Sequence, residues 1–462
     1  MSSNLVVDNP YTLEPACSVE LATPSVVDAV LDRAVRAARS AKATSVVERV
    51  ALCLRATESM LSSADEIARD ITAMMGKPFA QARNEVDGMA VRARYMAAIA
   101  EESLADVVPR HEPGFERRIL KCPLGVVLDL PAWNYPLLTA VNVVIPAVLA
   151  GNAVVVKHSP RTPLSGGHFA RAFELAGAPP GLVQALSCDH ATSERMVADP
   201  RVDHVVYTGS VFGGHRIVAA AAARFVDVGL ELGGNDPAYV APDCDFERTV
   251  ENVVDGAIYN AGQSCCAVER VYVHESVYDK FVAACEPLVR AYVMGDPEDA
   301  KTSLGPIAQP NHPGELDEMT RDATGKGAKL VFGGKRAKAN GKGRFFEATL
   351  LADCNHEMAL FQRESFGPIV AVMKVESDEE ALAKMNDSSL GLTASIWTSD
   401  RNRADKLARA LDYGTVYMNR CDALDPALPW TGVKDSGRGS SLSKLGFDAL
   451  TRPKALHYRL RF

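Results

Sequence analysis

The stretch DHVVYTGSVFGGHRIVAAAAARFVDVGLELGG, residues 203–234, places two short apolar runs on either side of a segment with helical character. The runs DHVVYTG and VDVGLEL are rich in apolar and β-branched residues and carry glycine at or near their ends, which is typical of strands. Two strands joined through a helix form a parallel βαβ unit. Because both runs are almost continuously apolar, we predict that they lie in a sheet covered on both faces.

The same alternation extends upstream through residues 125–202. Further strands are predicted at GVVLDLP, AVVVKH and GLVQALS, and the segments between them, such as PLLTAVNVVIPAVLAG and SGGHFARAFELAGAP, favour helices. Strands that alternate with helices in this way indicate a doubly wound, Rossmann-like α/β sheet. Ligands of such sheets bind beyond the carboxyl ends of the strands.

Two further regions flank this sheet. Residues 25–105 carry apolar residues at helical spacing and predict a group of helices. After residue 233 a second α/β set is predicted, with strands at RVYVHE, AKLVFGG, GPIVAVMKVE, LTASIWT and GTVYMN and helices near 246–260, 276–292 and 400–412. The polar segment AKANGKGR, residues 337–344, indicates a turn or hairpin tip.

The bulk composition excludes several classes of protein. The 462 residues are 47% hydrophobic and 23% charged, with a formal net charge of −8, so a nucleic acid or an anionic membrane is not expected as a partner. No apolar run is long enough to span a bilayer, and the N-terminus lacks the features of a signal peptide. The ten cysteines are scattered without CxxC spacing, which favours neither zinc nor disulfides. We therefore expect a cytoplasmic protein.

Two candidate binding features follow predicted strands. TGSVFGG, residues 208–214, is a small-residue turn before a helix, although the usual GxGxxG fingerprint is absent. The N-terminus of a helix offers free N–H groups and a positive dipole end, which suit a phosphate.

Glu231 ends an apolar strand and precedes two glycines. A carboxylate at such a position either pairs with another polar group, takes part in binding or catalysis, or lies in a solvated loop.

Two more segments carry candidate catalytic groups. In PAWNYP, residues 131–136, two prolines stiffen the loop around Asn134, whose amide N–H would suit an oxyanion. In NAGQSCC, residues 260–266, two cysteines are adjacent, and thiolates attack carbonyl carbons. Neighbouring residues of an extended segment point to opposite faces, so only one of the two thiols is expected to face a given pocket. Taken singly, each segment also has a purely structural interpretation.

The order of these segments resembles the aldehyde dehydrogenase superfamily. The resemblance runs from NPYTLE near the N-terminus to PWTGVKDSGRG at 429–439, and the pairing of ELGG with NxGQxC is specific for that family. It implies that Cys265 is the nucleophile, that Asn134 and the backbone N–H of Cys265 hold the oxyanion, and that Glu231 activates the hydrolytic water. Cys266 is then expected to face away and serve packing, with a redox-sensitive pair as the alternative.

The resemblance also implies a site for NAD or NADP. Lys157 would contact the adenine-side ribose or a 2′-phosphate, and Glu364 would bind the nicotinamide ribose. The other predicted cofactor contacts are Trp133, Gly209, Ser210, Gly214 and Phe366. Where members that prefer NAD often have a glutamate, this chain has Pro160, with Lys157 and Arg161 near it in sequence. The element that repels a 2′-phosphate is missing, so we expect NADP to be tolerated.

The resemblance further implies a division into three parts. Residues 1–110 and 124–232 would form the NAD(P)-binding domain, 233–424 the catalytic domain, and 111–123 with 446–462 a small strand-based oligomerisation element. The segments ERRILKCP (116–123) and ALHYRLRF (455–462) would supply its strands. The extra N-terminal strand of longer relatives is expected to be lacking, and a homodimer and a homotetramer both remain open.

The substrate is less well defined. The loop NRCDALDPALPW, residues 419–430, is expected at the substrate entrance, where Arg420 favours a carboxylate and Asp422 and Asp425 favour a neutral aldehyde. The activity implied is oxidation of an aldehyde to the acid through a cysteine thioester. Two alternatives are an acylating enzyme that passes the thioester to coenzyme A and a non-catalytic binding protein on the same scaffold. Glu231 argues against acyl transfer, and the presence of all three catalytic candidates argues against a binding protein.

Overall fold

The computed structural model describes residues 4–461. The described chain begins with a hairpin and four helices: β1 (Asn4–Asp8), β2 (Pro15–Glu20), α1 (Pro24–Ala41), α2 (Val46–Ser62), α3 (Ala64–Met75) and α4 (Phe79–Leu104). The helices predicted within 25–105 are confirmed, whereas the hairpin was not predicted. Side-chain caps mark the start of the first two helices. Thr23 accepts from the backbone N–H of Val26 at the start of α1, and Ser45 forms a reciprocal capping box with Glu48 at the start of α2.

The first large sheet is built by the predicted alternation. Its elements and the strand that precedes them are β3 (Phe115–Pro123), β4 (Val126–Leu130), α5 (Pro136–Leu149), β5 (Ala153–Val156), α6 (Leu164–Leu175), β6 (Val183–Ala185), α7 (His190–Ala198), β7 (His204–Thr208), α8 (Val211–Ala221) and β8 (Asp227–Glu231). The parallel strands lie in the order β8-β7-β4-β5-β6. Every residue of β4 and β5 is buried, as expected for a sheet with helices on both faces.

The second large sheet has seven strands. The elements of this region are β9 (Asp236–Val240), α9 (Phe246–Ile258), β10 (Val268–His274), α10 (Glu275–Arg290), α11 (His312–Gly325), β11 (Lys329–Phe332), β12 (Arg336–Ala339), β13 (Lys342–Phe346), β14 (Thr349–Ala352), α12 (Ala359–Gln362), β15 (Ile369–Val375), α13 (Asp378–Asn386), β16 (Leu390–Gly391), β17 (Thr393–Trp397), α14 (Arg401–Ala410) and β18 (Thr415–Met418). The sheet order is β11-β14-β15-β10-β9-β17-β18. Strands β12 and β13 form the hairpin predicted at AKANGKGR.

The last segment of the chain joins both earlier regions. It contains β19 (Val433–Lys434), β20 (Gly437–Arg438), α15 (Ser443–Ala449) and β21 (Thr451–Arg459). Strand β20 pairs antiparallel with the last two residues of β8. Strands β21 and β3 pair antiparallel with each other along their whole lengths. The two segments predicted as an oligomerisation element therefore pair with each other. Phe462, the last residue of that predicted element, lies outside the described residues.

Each sheet has its own hydrophobic core. One core contains the helices of the N-terminal region and strands β4 to β8, and the other contains strands β9, β10, β15 and β17 with their helices. The change from one sheet to the other occurs between β8 and β9. Among residues 4–461, no helix combines the length and apolarity needed to span a bilayer. The carboxyl ends of β7 and β8 and the loop before β10 line common cavities.

Candidate active site

Two cavities meet at the carboxyl ends of β7 and β8, beside the loop that carries Cys265. The first cavity has a volume of about 310 Å³ and the second of about 600 Å³. Among residues 4–461, five line both of them, namely Asn134, Thr208, Glu231, Leu232 and Cys265. The structure therefore brings the three predicted catalytic residues together at the junction of the two cavities. They come from three separate stretches of the chain.

The loop that carries Cys265 has an unusual backbone. Asn260, Ala261 and Gly262 all have left-handed conformations, with φ values of 55°, 56° and 68°. A side chain at Gly262 is excluded, because its Cβ would lie 2.0 Å from the carbonyl oxygen of Gly367. This sharp turn follows α9 and directs the chain back, so that Cys265 is partly exposed at the cavity junction. The glycine of NAGQSC is therefore required by the backbone geometry of this turn.

Cys266 does not face away from the site as predicted. Its side chain is buried, at 4% exposure, yet it lines the first cavity beside Cys265. Its thiol donates to Asp422, with Sγ and Oδ1 3.1 Å apart. The prediction failed because residues 265 and 266 lie in a turn, where the alternation of an extended strand does not apply. The hydrogen bond with Cys265 and burial raise the pKa of the Cys266 thiol.

The Asn134 loop is tied to the cysteine loop by amide contacts. The side-chain amide of Asn134 donates to the carbonyl of Gln263 at 3.2 Å, which leaves its second N–H available. The amide of Asn260 donates to the backbone carbonyls of Asn134 at 3.2 Å and of Gln263 at 3.0 Å. These bonds hold the loop of the predicted oxyanion donor against the segment that precedes the predicted nucleophile.

A buried ion pair that the sequence analysis missed lies beneath the Asn134 loop. Lys77 donates to the Glu85 carboxylate and, at 2.9 Å, to the backbone carbonyl of Asn134. Glu85 in turn accepts from the backbone N–H of Leu137 at 2.8 Å, in the first turn of α5. Burial lowers the pKa of Lys77, although the Glu85 carboxylate opposes that shift. The pair positions the start of α5 and the loop before it.

Glu231 lies at the carboxyl end of β8, as predicted. One carboxylate oxygen accepts from the hydroxyl of Ser441 at 2.5 Å, and the other accepts from Thr208 at 3.4 Å. Burial raises the pKa of the Glu231 carboxyl, and the Ser441 hydrogen bond and the positive charge of Arg92 reduce this effect. A raised pKa suits a group that takes a proton from water near neutral pH.

The second cavity contains most of the predicted cofactor residues. Those that line it are Trp133, Lys157, Gly209, Ser210, Glu364 and Phe366. Gly214, which was also predicted, is not among the described residues that line this cavity. It packs against Leu232, and a Cβ at this position would lie 2.8 Å from the Leu232 side chain. Ser210 caps α8 and accepts from the backbone N–H of Gly213 at 3.1 Å. The ring of Trp133 packs edge-on against Phe366 with centroids 5.5 Å apart.

Two ionisable residues of the second cavity fit a dinucleotide. Lys157 is only 6% exposed, and its ammonium group makes no hydrogen bond to any residue in the described part of the chain. A buried cation without a protein partner is suited to a ribose or phosphate oxygen. The Glu364 carboxylate accepts only weakly, from Gly234 at 3.3 Å, and burial raises the pKa of its carboxyl group well above its usual range.

Glu269, also missed by the sequence analysis, holds the loop that carries Phe366. Its carboxylate accepts from the backbone N–H groups of Ser365 at 2.7 Å and Phe366 at 2.9 Å. Burial raises the pKa of Glu269 to about 7, against the effect of these bonds. Phe366 has a φ of 52°, so the loop needs such support. A buried glutamate inside the apolar strand sequence VERVYVH was the available signal.

Arg161 does not contribute to the second cavity, contrary to the expectation from its place in the sequence. It donates to the side chain and backbone carbonyl of Asp8 in β1, which turns it toward the N-terminal hairpin. Pro160 does line the cavity, as do His190 and Arg216. Lys157 is thus the buried cation at the cofactor end, and no carboxylate occupies position 160.

The loop expected at the substrate entrance contributes Asp422 to the first cavity. Asp422 accepts from the hydroxyl of Ser264 at 2.8 Å, and burial raises the pKa of its carboxyl. Arg420 and Asp425 are missing from the described residues that line this cavity. The cation that does line it is Arg92, on α4, which the sequence analysis did not single out.

Comparisons with known proteins agree with this geometry. The sequence matches the aldehyde dehydrogenase family over residues 2–456. It is 37% identical over 443 residues to an aldehyde dehydrogenase of Paenarthrobacter nicotinovorans, with 94% of this chain and 96% of that protein covered. It is 36% identical over 448 residues to the NADP-dependent succinate-semialdehyde dehydrogenase of Deinococcus radiodurans, with 96% and 93% covered.

A solved structure shares the whole fold. The betaine aldehyde dehydrogenase of Staphylococcus aureus, in complex with NAD+, superposes with a TM-score of 0.94 at 30% identity, and the match covers 99% of this chain and 92% of that one. The chain therefore belongs to the aldehyde dehydrogenase family. It is an oxidoreductase that acts on aldehydes with NAD or NADP, so the predicted class, fold and cofactor type are confirmed.

Proposed function

We propose that the protein oxidises an aldehyde to the carboxylic acid through a thioester on Cys265. The observation that carries this proposal is the meeting of Asn134, Glu231 and Cys265 at the junction of the two cavities. The first cavity would hold the aldehyde and the second the dinucleotide. A thiol at the junction is then within reach of both.

The reaction begins at the sulfur. The Cys265 thiolate attacks the aldehyde carbon, and the carbonyl oxygen becomes an oxyanion. The second N–H of the Asn134 amide and the backbone N–H of Cys265 donate to this oxygen. The amide is already oriented by its bond to Gln263, so little reorganisation is needed when the charge develops.

Oxidation and hydrolysis complete the turnover. NAD or NADP, when bound, supplies the hydride acceptor, and the Cys265 adduct is left as a thioester. Glu231 then removes a proton from a water molecule, whose oxygen attacks the thioester carbon. The acid leaves, and the Cys265 sulfur is regenerated. Glu231 supports hydrolysis rather than transfer to coenzyme A, because an acylating enzyme needs the thioester to survive water.

Several properties of the second cavity support use of NADP as well as NAD. Lys157 offers an unpaired cation, and Pro160 occupies the position where a glutamate would repel a 2′-phosphate. The residues Trp133, Ser210, Glu364 and Phe366 would hold the rest of the dinucleotide. Location in the cytoplasm stays a prediction, as does assembly into a homodimer or homotetramer through the β3–β21 ribbon.

A panel of aldehydes tests the proposal. Each is mixed with wild-type protein and either NAD or NADP, and reduced cofactor is followed by its absorbance. We expect turnover with at least one aldehyde and release of free acid without coenzyme A. Binding of cofactor without oxidation of any aldehyde would contradict the proposal, and a strict need for coenzyme A would favour the acylating alternative.

A further inference from the structure

Arg92 is a buried arginine that faces the first cavity. It lies on α4, on the helix face that packs against α5, and it is 8% exposed. One terminal nitrogen, Nη1, donates to the backbone carbonyl of Leu138 at 3.1 Å and to the side-chain oxygen of Asn142 at 3.0 Å. Both acceptors are neutral. The guanidinium is thus held in place by α5 without any carboxylate bonded to it.

The remaining donors of Arg92 are available to a ligand. Among residues 4–461, no acceptor bonds to its Nε or Nη2 groups, although Arg92 lines the cavity. Of the described residues that line this cavity, Arg92 is also the only lysine, arginine or histidine. A planar guanidinium with two adjacent free N–H groups matches a carboxylate in a bidentate arrangement.

The carboxylates that line the first cavity each have another donor. They are Glu85, which binds Lys77; Asp255, which accepts from Tyr292; Asp422, which accepts from Ser264; and Glu231, which accepts from Ser441. None of them forms an ion pair with Arg92 within 4.0 Å in the described structure. Leaving a buried charge without a partner is costly, so a site of this kind favours an anionic ligand.

We propose that Arg92 binds a carboxylate at the far end of the aldehyde substrate, so that the enzyme prefers semialdehyde acids over neutral aldehydes. This inference rests on the proposed function, because it assigns the first cavity to the aldehyde. Asn142 and the Leu138 carbonyl hold the guanidinium in orientation, and the substrate carboxylate bonds to Nε and Nη2. The carboxylate preference that Arg420 suggested in the sequence is thereby assigned to Arg92, and the neutral aldehyde that Asp422 and Asp425 favoured is not the preferred substrate.

Arg92 also interacts electrostatically with Glu231, which defines the competing interpretation. A residue that acts only through Glu231 would affect the oxidation of all aldehydes alike. A residue that binds the substrate carboxylate would affect only those substrates that carry one. The ratio of specificity constants for two matched substrates separates these roles.

The experiment compares succinic semialdehyde with its neutral methyl ester in Arg92→Gln and in a matched control. The control is Arg94→Gln, two residues along the same helix, where the side chain is exposed and pairs with Glu58 at the surface. We expect the ratio of kcat/KM for the acid to that for the ester to fall by about 10- to 100-fold in Arg92→Gln, as for loss of a charge-assisted hydrogen bond. In Arg94→Gln the ratio stays at the wild-type value.

An equal loss of kcat/KM for both substrates in Arg92→Gln would overturn the proposal, as would an unchanged ratio in a folded variant.

A binding measurement covers the case in which Arg92→Gln does not fold. Succinate and its neutral dimethyl ester are titrated calorimetrically into the wild-type protein with bound NADP, and we expect succinate to bind about 10-fold tighter or more. Equal affinities would refute the assignment. If no aldehyde is oxidised, the proposed function fails, and this titration still decides the role of Arg92.

Discussion

Cys265 and Cys266 are adjacent in the chain, yet their surroundings differ in ways that bear on chemistry. Cys265 is partly exposed at the junction of both cavities, whereas Cys266 is buried and donates to Asp422. A thiol must be ionised to attack a carbonyl, and the raised pKa of Cys266 opposes ionisation. Cys266 is therefore better suited to shaping the cavity than to nucleophilic attack.

Replacement of each cysteine by alanine tests this distinction. Cys265→Ala should lower kcat by at least about 10⁴-fold, because the nucleophile is lost. Cys266→Ala should retain most of the activity, with a modest change in KM from the altered cavity wall. Both variants are assayed with the best aldehyde of the panel. An active Cys265→Ala protein beside an inactive Cys266→Ala protein would reverse the assignment.

Glu231 is expected to set the low-pH limit of the reaction. A general base must be deprotonated, and burial raises its pKa above the usual 4.5, so kcat should fall on acidification at a pH above the ordinary glutamate range. Glu231→Gln should lower steady-state kcat by about 100-fold or more while leaving an initial burst of reduced cofactor. Rapid-mixing kinetics across pH measure both effects. Steady turnover without a burst would exclude the role in deacylation.

Pro160 is expected to influence the choice of cofactor. Pro160→Glu would place a carboxylate in the second cavity, where it would repel a 2′-phosphate and accept from ribose hydroxyl groups. We expect KM for NADP to rise by about 10-fold relative to KM for NAD, a difference of about 1.4 kcal/mol. Initial rates with both cofactors provide the comparison. An unchanged ratio of the two KM values would contradict the repulsion argument.

At the scale of elements, α4 is the helix whose role was least visible in the sequence. Its spacing of apolar residues predicts a buried face, and Glu85 and Arg92, seven residues apart, both lie on that face. Charged residues on a buried helix face need partners. Lys77 precedes α4 and is only 8 residues from Glu85, but Leu137 and Asn142 are 52 and 50 residues from the side chains that they contact. Strands, helices and motif residues could be predicted from local patterns. The contacts that hold the motif residues in place could not be predicted from the sequence, since they depend on tertiary packing.

The Lys77–Glu85 pair is expected to support both folding and catalysis. Lys77→Met leaves a buried carboxylate without its cation, and we expect the free energy of unfolding to fall by about 3–5 kcal/mol. The Asn134 carbonyl also loses a donor, so kcat should fall. Denaturant unfolding and steady-state rates are measured together, and the double variant Lys77→Met/Glu85→Gln should recover part of the stability.

The exposed pair between Lys406 and Glu379 supplies the control for that prediction. Both side chains are more than two-thirds exposed, and Lys406→Met should change stability by only a few tenths of a kcal/mol. A loss in Lys406→Met similar to that in Lys77→Met would show that the buried pair has no special role.

At the scale of the whole molecule, the N-terminal hairpin connects the two sheets. Asp8 in β1 binds Arg161, which follows β5 of the first sheet, and Arg344 in β13 beside the second sheet. The hairpin was not predicted, because β1 and β2 are short and only one of their residues, Val7, is buried. The two α/β regions could be predicted, because a long alternation of strand-like and helix-like segments is visible in the sequence and does not depend on knowledge of tertiary contacts.

Asp8 should make stability depend on pH in the acidic range. Burial raises the pKa of Asp8, but hydrogen bonds from Arg344 and Arg161 outweigh this and lower it to about 2. A carboxyl whose pKa is lowered on folding stabilises the protein above its unfolded pKa, and that contribution is lost as pH falls from about 4 to about 2. Asp8→Asn should cost about 1 kcal/mol at neutral pH, after allowance for solvent screening at this partly exposed site.

Thermal melting of wild-type protein and Asp8→Asn between pH 7 and pH 2.5 measures this effect. The melting temperatures should differ at pH 7 and converge as the pH approaches 2.5. Asp405→Asn, which removes an exposed pair within α14, is the control and should change little at either pH. A constant difference at all pH values would exclude the carboxylate as its source.

The bonds from the Asn134 loop to the loop of Asn260 and Gln263 have a consequence for biosynthesis. Asn134 and Glu231, the proposed oxyanion donor and base, precede Cys265 in the sequence and belong to the half of the protein that emerges first from the ribosome. Until the second half folds against them, Cys265 is not beside either group. A partly synthesised chain thus lacks the arrangement that the proposed oxidation needs, which forms only when the Asn134 loop and the loop of Cys265 come together in the finished protein.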